Sequence, residues 1–527
     1  MNKRGYKAAK LLRIVTAAVI LLLFYVSISI SQPLYNSILK YLTRLQFFPS
    51  LINVVFSGGG WMAAGFLPVT FLTLLLGRLY CSVLCPLGIV QDIIIFISGK
   101  KRHRKFRVRP SAAWLHGSIA GISVIGLLIG LPLLFGLLEP YAFWGRIYRD
   151  LVLPLAAGVS IGVVEVLRTM NIFWAPVQFR GELTVVAMTL IAAVLFVWLT
   201  YRYGRWYCNR LCPTGAVLRL VALRPLFRME FNNDLCTKCG VCAHVCPAGC
   251  IDIQAQQVEY SRCILCFECT ARCPFDAISF TALSHRQQQQ LSPSAVEPDL
   301  NRRKALMAAV GSLAAAAVGG FGFSLRPLSA AAPASSAQDM PDLPVLPPGS
   351  GSKRRYTRRC VSCHTCVSVC PTHVLQPSFF ALGVSGFLQP VMDYKKAYCE
   401  WECNRCTQIC PTGALEPLSI SEKKRVQMGT VEFDQDRCVV FTDGTDCGAC
   451  AEVCPTQAVR MVPYKNGLTQ PQTETDICSG CGSCEYACPV DLPKAIFVVA
   501  HSQHQTRDER EPKQTSPTED VPEEFPF

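Results

Sequence analysis

CTKCGVCAHVCP, residues 236–247, places three cysteines on one short loop and a fourth directly before a proline. The signature recurs. Six groups of four cysteines, each ending in Cys-Pro, take up 24 of the chain's 29 cysteines. The first is Cys236, Cys239, Cys242 and Cys246, and the second is Cys263, Cys266, Cys269 and Cys273. The third is Cys360, Cys363, Cys366 and Cys370. The fourth opens one residue wider, at Cys399, Cys403, Cys406 and Cys410. The fifth has a long first gap, with Cys438, Cys447, Cys450 and Cys454; the sixth is Cys478, Cys481, Cys484 and Cys488. Three thiolates on one loop reach three corners of a cubane, and the fourth reaches a neighbouring one, which is the ligand spacing of [4Fe–4S] clusters. Structural zinc prefers two Cys-x2-Cys pairs about a dozen or more residues apart. A disulfide framework would not impose one spacing six times. The sequence therefore predicts six [4Fe–4S] clusters, and a row of clusters moves electrons. In the first two groups Cys236, Cys239 and Cys242 share a cluster with Cys273, and Cys263, Cys266 and Cys269 share one with Cys246. Cys250 belongs to no group and reads as a small buried residue.

With 527 residues the chain has room for three or four domains. Its formal charge of +14 counts every cysteine as neutral. An oxidised cluster with four thiolates carries about −2, so six bring the holoprotein near neutrality. The charge is also split. Residues 338–527 hold 18 Lys and Arg against 24 Asp and Glu, whereas residues 1–337 hold 33 against 13. These basic residues cluster beside apolar runs, so membrane topology accounts for them and nucleic acid is not an expected partner.

Four apolar runs approach the roughly 20 residues that cross a bilayer: 11–31, 62–76 continuing to Tyr80, 112–136 and 183–200. Residues 151–167 are apolar too, but Pro154 and Glu165 make them read as an interfacial segment. Lys3, Arg4, Lys7 and Lys10, the patch at 100–109, and Arg202 with Arg205 then all fall on the cytoplasmic side.

A short repeat follows two of these runs. GRLYCSVLCPLG (77–88) and GRWYCNRLCPTG (204–215) share eight of twelve positions, and each carries Cys-x3-Cys-Pro. Residues four apart share a helix face. Cys81, Cys85, Cys208 and Cys212 are therefore expected to meet at the cytoplasmic membrane surface as redox or metal ligands; the plainer reading is helix-end packing. His116 and Glu139 are candidate proton acceptors, because ionisable groups beside spans are seldom idle.

The expected domains are a membrane domain (1–227), a two-cluster ferredoxin domain (228–283), a linker (284–353), a four-cluster ferredoxin domain (354–501) and a disordered tail (502–527). Inside the linker, Arg302 and Arg303 precede an uncharged run at 305–323 and the small residues SAAAPASSA. This resembles a twin-arginine export signal placed internally. It reads as a fifth span, as a surface helix, or as the device that exports the second ferredoxin domain. The fold class is a multi-domain chain: an α-helical membrane bundle of four spans, with that further one, joined to α+β ferredoxin-like domains.

The paired Cys-x3-Cys-Pro motifs followed by a two-cluster ferredoxin resemble the NapH-type membrane quinol dehydrogenase subunits. The twin-arginine segment and four-cluster tail resemble the exported NapG/MauM-type ferredoxins. The two look fused here, and the resemblance spans nearly the whole chain. It implies an inner-membrane electron-transfer subunit with quinol as substrate and the quinone pool as one partner. A separate extracytoplasmic redox enzyme or cytochrome would be the other. Similar motifs occur in the nitrous-oxide reductase accessory family and in the polyferredoxin supporting copper assembly of cytochrome oxidase. An electron donor for metal-cofactor maturation is thus the alternative, with a redox sensor as a further one. By the same resemblance the last four groups pair first with fourth and second with third. Cys360, Cys363 and Cys366 would join Cys488; Cys478, Cys481 and Cys484 would join Cys370; Cys399, Cys403 and Cys406 would join Cys454; Cys438, Cys447 and Cys450 would join Cys410. Sequential pairing is the alternative.

Overall fold

The computed structural model of the chain describes residues 3–29, 33–57, 65–101, 113–130, 132–169, 179, 181–223, 225–282 and 343–507. Arg302, Arg303, the run 305–323 and most of the basic patch at 100–109 lie outside the described residues. Two compact units are present. The first comprises Met1–Gln338, Leu346–Met392 and Asn404–Leu418; the second comprises Asp339–Val345, Asp393–Cys403 and Ser419–Phe527. The expected four-cluster domain at 354–501 is therefore not one body. The third cysteine group packs on the helices of the first unit, a tertiary preference that no linker composition announces.

The first unit opens with α1 (Lys3–Ser29), α2 (Pro33–Arg44), α3 (Phe47–Ser57), α4 (Phe66–Leu76), α5 (Tyr80–Val83) and α6 (Pro86–Lys101). Next come α7 (Ala113–Ile129), α8 (Leu133–Leu138), α9 (Pro140–Ile147), a π-helical turn (Tyr148–Val152), α10 (Leu153–Thr169), α11 (Leu183–Tyr203), α12 (Trp206–Arg210) and α13 (Pro213–Val221). Among the described residues two helices are long and apolar enough to cross a membrane, Arg4–Ile28 within α1 and Leu183–Tyr203. Two of the four expected spans are shorter. The second run stops at Leu76 because Gly77 takes a left-handed φ of +83°. The third ends at Ile129, three residues before Pro132. Residues 151–167, expected at an interface, lie in the π turn and α10. Large apolar side chains face outward not only on α1 and α11 but also on α7 (Trp114, Ile125) and α10 (Leu155, Val159).

The first ferredoxin module follows. β1 (Phe227–Phe231) pairs antiparallel with β4 (Ile278–Ala282), and β2 (Ile251–Asp252) pairs with β3 (Gln257–Val258). Helices α14 (Val241–Val245) and α15 (Glu268–Arg272) each carry the third cysteine of a group. The module docks on the N-terminal end of α1: Tyr6 accepts a 2.8 Å hydrogen bond from the Phe280 N–H, and Lys10 pairs with Glu268 at 2.7 Å.

The first unit is completed by α16 (Lys353–Arg359), α17 (Thr365–Ser368), β5 (Leu375–Pro377), β6 (Pro390–Met392) and α18 (Arg405–Ile409). The expected linker ends earlier than 353, since Leu346 and Ser350 are buried and Leu346 shares a core with Tyr356. This part of the unit meets the other half of α1: Phe24, Leu39, Tyr141, Val369 and Ile409 share one core. Tyr6 and Phe24 are 18 residues apart on one helix, about 27 Å along its axis.

The second unit holds α19 (Ile420–Arg425), β7 (Val426–Phe433), α20 (Val439–Thr442), α21 (Ala449–Glu452), β8 (Val459–Pro463), β9 (Thr469–Thr473), α22 (Ser483–Ala487) and β10 (Ile496–Thr506). β7 pairs with β10 and β8 with β9, both antiparallel. The expected disordered tail begins too early at 502. Past a bulge, Gln505 and Thr506 still pair with Gln427 and Val426, because the polar end of β10 finds a ladder partner.

Candidate iron–sulfur centres and the paired cysteine motif

The loop carrying Cys236, Cys239 and Cys242 curls around a pocket of about 320 Å³ that Cys273 closes from the next group. Cys246, Cys263, Cys266 and Cys269 line a second pocket of about 370 Å³. Both foursomes match the reciprocal pairing expected from the spacing. Burial pushes the Cys242 thiol up to about 11, against a hydrogen bond from the Ala243 N–H. A buried apolar thiol of this kind is inert until a metal takes the place of its proton.

The later groups pair differently from expectation. Cys360, Cys363 and Cys366 each have Cys410 as an electrostatic neighbour. In the second unit Cys438 and Cys450 neighbour Cys447 and Cys488. Cys478 and Cys484 neighbour Cys481 and Cys454, and all four line a pocket of about 280 Å³. Cys488, Cys454 and Cys410 are thus not where first-with-fourth pairing puts them. For three of the four sets the neighbours are those of sequential pairing: the third group takes the Cys-Pro thiol of the fourth, and the fifth and sixth groups exchange theirs. Cys370, Cys406 and Cys410 belong to the first unit, Cys399 and Cys403 to the second.

Cys250, read as a filler, is more closely engaged. It is buried, lines the second pocket, and lies 3.6 Å from Cys246 sulfur to sulfur. Nothing in its spacing announces this, since it sits outside the repeated pattern.

The two Cys-x3-Cys-Pro motifs come together as expected. Cys81, Cys85, Cys208 and Cys212 are all buried and are electrostatic neighbours of one another. A local two-fold relation holds them. Arg78 donates to the Cys208 carbonyl at 2.9 Å, and Arg205 donates to the Cys81 carbonyl at 2.9 Å. A Cβ on Gly88 would stand 2.1 Å from the Cys81 oxygen, and one on Gly215 would stand 2.2 Å from the Cys208 oxygen, so neither position accepts a larger residue. Among the described residues no three Cys, His, Asp or Glu side chains close tightly enough to grip a single metal ion.

Both candidate proton acceptors border this quartet. His116 Nε2 lies 2.9 Å from the Cys212 carbonyl oxygen. Glu139 caps α9, accepting from the Ala142 N–H at 2.6 Å, while its Oε1 has no hydrogen-bond partner among the described residues. Burial raises its carboxyl to about 7, against hydrogen bonds from Ala142 and Tyr141 and the charge of Arg146. It is an electrostatic neighbour of both Cys85 and Cys363.

Known proteins carry the same patterns. A 4Fe-4S binding domain family (Fer4_5) matches residues 59–105 and 185–231, the segments of the paired motif. One 4Fe-4S dicluster family (Fer4_10) matches 228–274, and another (Fer4_7) matches 359–414 and 445–492. A second 4Fe-4S binding domain family (Fer4_6) covers 430–459. The first Fer4_7 match spans the third and fourth cysteine groups, and the second spans the sixth together with Cys447, Cys450 and Cys454 of the fifth. An uncharacterized protein of Methanocaldococcus jannaschii is 28% identical over 255 residues, 48% of this chain and 93% of that protein. The putative electron transport protein YccM of Escherichia coli is 29% identical over 215 residues, 40% of this chain and 54% of YccM. The ferredoxin-type protein NapF of Escherichia coli is 28% identical over 158 residues, 30% of this chain and 87% of NapF. The chain is an iron–sulfur protein with ferredoxin-type [4Fe–4S] domains and the make-up of an electron carrier.

Proposed function

We propose that the chain oxidises membrane quinol and delivers the electrons through six [4Fe–4S] clusters to a separate redox enzyme or cytochrome outside the cytoplasm. In this reading a NapH-like membrane half is joined to a NapG/MauM-like exported half in one chain of the inner membrane. α1 and α11 cross the bilayer, and the shorter α7 and α10 turn apolar faces to lipid; an apolar surface of that extent does not suit water.

One observation carries the proposal. A single apolar core contains Ile264 of the first ferredoxin module, the four motif cysteines, and Val361 beside the third group; Cys266 and Cys363 pack against it. Cysteine sets from two ferredoxin modules thus approach one buried thiol quartet. The modules engage α1 about 27 Å apart, close to the roughly 30 Å of a bilayer's hydrocarbon.

A bound [4Fe–4S] cluster supplies one-electron transfer. The chain's own residues hold the thiols in line and exclude water between them. Glu139 gives quinol oxidation a place to leave a proton, with Tyr80, Tyr141 and Tyr207 around it. The test is anaerobic addition of a short-chain quinol analogue to oxidised, detergent-solubilised protein, followed by EPR. Signals of reduced clusters should grow as quinol is consumed. Protein that dithionite reduces and quinol does not would overturn the proposal.

A further inference from the structure

The paired motif presents a difficulty for its own family description. Residues 59–105 and 185–231 each match a 4Fe-4S binding domain, yet each segment contains only two cysteines. Neither can supply the four thiolates of a cubane alone. The fold brings the two pairs into one buried quartet. We propose that Cys81, Cys85, Cys208 and Cys212 together bind a seventh [4Fe–4S] cluster, ligated across the local two-fold and seated between the two ferredoxin modules.

Arg78 supplies an independent observation. It is fully buried, and its hydrogen bonds go to neutral acceptors: Asn209 Oδ1 at 2.8 Å, the Cys208 carbonyl at 2.9 Å and the Ser261 carbonyl at 3.3 Å. No carboxylate pairs with it among the described residues, its Nε has no hydrogen-bond partner there, and the thiols it neighbours are Cys81 and Cys208 of the quartet and Cys263 of the adjoining ferredoxin group. A lone guanidinium in a dry core is costly unless an anion sits beside it. Its Nη2 lies 3.9 Å from the Cys81 sulfur. The symmetry-related Arg205, equally buried, stands 4.0 Å from the Cys208 sulfur and also pairs with Asp92 at 2.6 Å. A cubane with four thiolates carries about −2 and would supply Arg78 with the counter-charge that Asp92 already gives Arg205.

The sulfur surroundings resemble those of the ferredoxin groups. The Gly215 N–H donates to Cys212 Sγ at 3.2 Å, as the Leu415 N–H does to Cys410 at 3.4 Å and the Gly480 N–H does to Cys478 at 3.4 Å. Cys208 donates its thiol proton to Gln91 Oε1 at 2.9 Å. Ligation removes that proton, and Arg205, whose Nη1 stands 4.0 Å from the sulfur, is the cation that faces the thiolate.

Position assigns the role. Cys266 and Cys363, ligand positions of two different ferredoxin clusters, pack on the same core as the quartet. A cluster at the quartet therefore stands beside ligand positions of both ferredoxin clusters, where an intermediate electron carrier belongs. The site stands whether or not quinol is the donor.

The test counts clusters, not turnover. Full-length protein purified anaerobically should contain about 28 iron and about 28 acid-labile sulfide per chain, against about 24 for six clusters. The Cys85→Ser/Cys212→Ser variant should lose about four of each and keep the rest. Iron and sulfide equal to wild type would overturn the proposal, as would loss of stoichiometric zinc instead of iron and sulfide. Should the variant fail to fold, native mass spectrometry of the wild-type chain decides. Seven Fe4S4 units in the highest-mass species support the site, and six overturn it.

Discussion

Arg205 donates a 2.9 Å hydrogen bond to the backbone oxygen of Cys81, joining residues 124 positions apart in the chain. Arg78 returns the bond to the Cys208 oxygen at 2.9 Å. Each copy of the repeat therefore holds the cysteine turn of the other. This explains why arginine, and not only cysteine, glycine and proline, recurs at matching positions.

Arg78→Ala removes the donor for the Cys208 and Ser261 carbonyls and for Asn209, all in a buried setting. Leaving such acceptors unpaired should cost about 2–4 kcal/mol. Denaturant titration of detergent-solubilised protein, followed by circular dichroism, measures this. A change within about 0.5 kcal/mol of wild type, the range of ordinary surface substitutions, would refute the clamp.

Gly145→Ala reverses a familiar sign. In an exposed helix the change gains about 1 kcal/mol. On α9 the new Cβ would stand 2.1 Å from the Cys363 carbonyl oxygen, so helix and cysteine loop must part. The variant should be less stable than wild type and should lose about four iron from the cluster served by Cys363. Full iron content with raised stability would show that the third group does not dock here.

Pairing of the later groups is read from non-additivity. If Cys366 and Cys410 serve one cluster, Cys366→Ser and Cys410→Ser together should remove about four iron, no more than either alone. Cys366→Ser with Cys488→Ser should remove about eight, because two clusters are struck. First-with-fourth pairing requires the opposite result.

Glu139 should make stability depend on pH. Its folded carboxyl titrates near 7, well above an ordinary glutamate. Between those values the folded chain holds a proton that the unfolded chain releases, so stability falls as pH rises through that window. The penalty is complete above about pH 7 and amounts to about 3 kcal/mol. Glu139→Gln keeps an oxygen for the Ala142 N–H and removes the titration. The variant should match wild type near pH 5 and exceed it near pH 8 in denaturant midpoint. Parallel pH profiles for the two proteins would count against a buried, proton-holding Glu139.

Sequence and tertiary structure divide the work unevenly. The ligand sets of the first ferredoxin module were legible in residues 236–273, because three thiols on a short loop and a Cys-Pro thiol beyond it leave one geometric solution. The meeting of Cys81, Cys85, Cys208 and Cys212 was legible from an eight-in-twelve repeat. Three features were not. The lengths of the second and third apolar helices depend on where Gly77 and Pro132 stop them, whereas hydropathy counts composition and not breaks. The partners of Cys410, Cys454 and Cys488 depend on which groups pack together, since identical spacings are interchangeable in sequence. Placement of the third group on the helical unit, through Gly145 and Val361, depends on close backbone approach, which leaves no periodic trace. Local spacing determined what this chain binds. Long-range packing decided which thiols stand together and brought the repeat between two sets of clusters, because only the folded core brings residues hundreds of positions apart within reach.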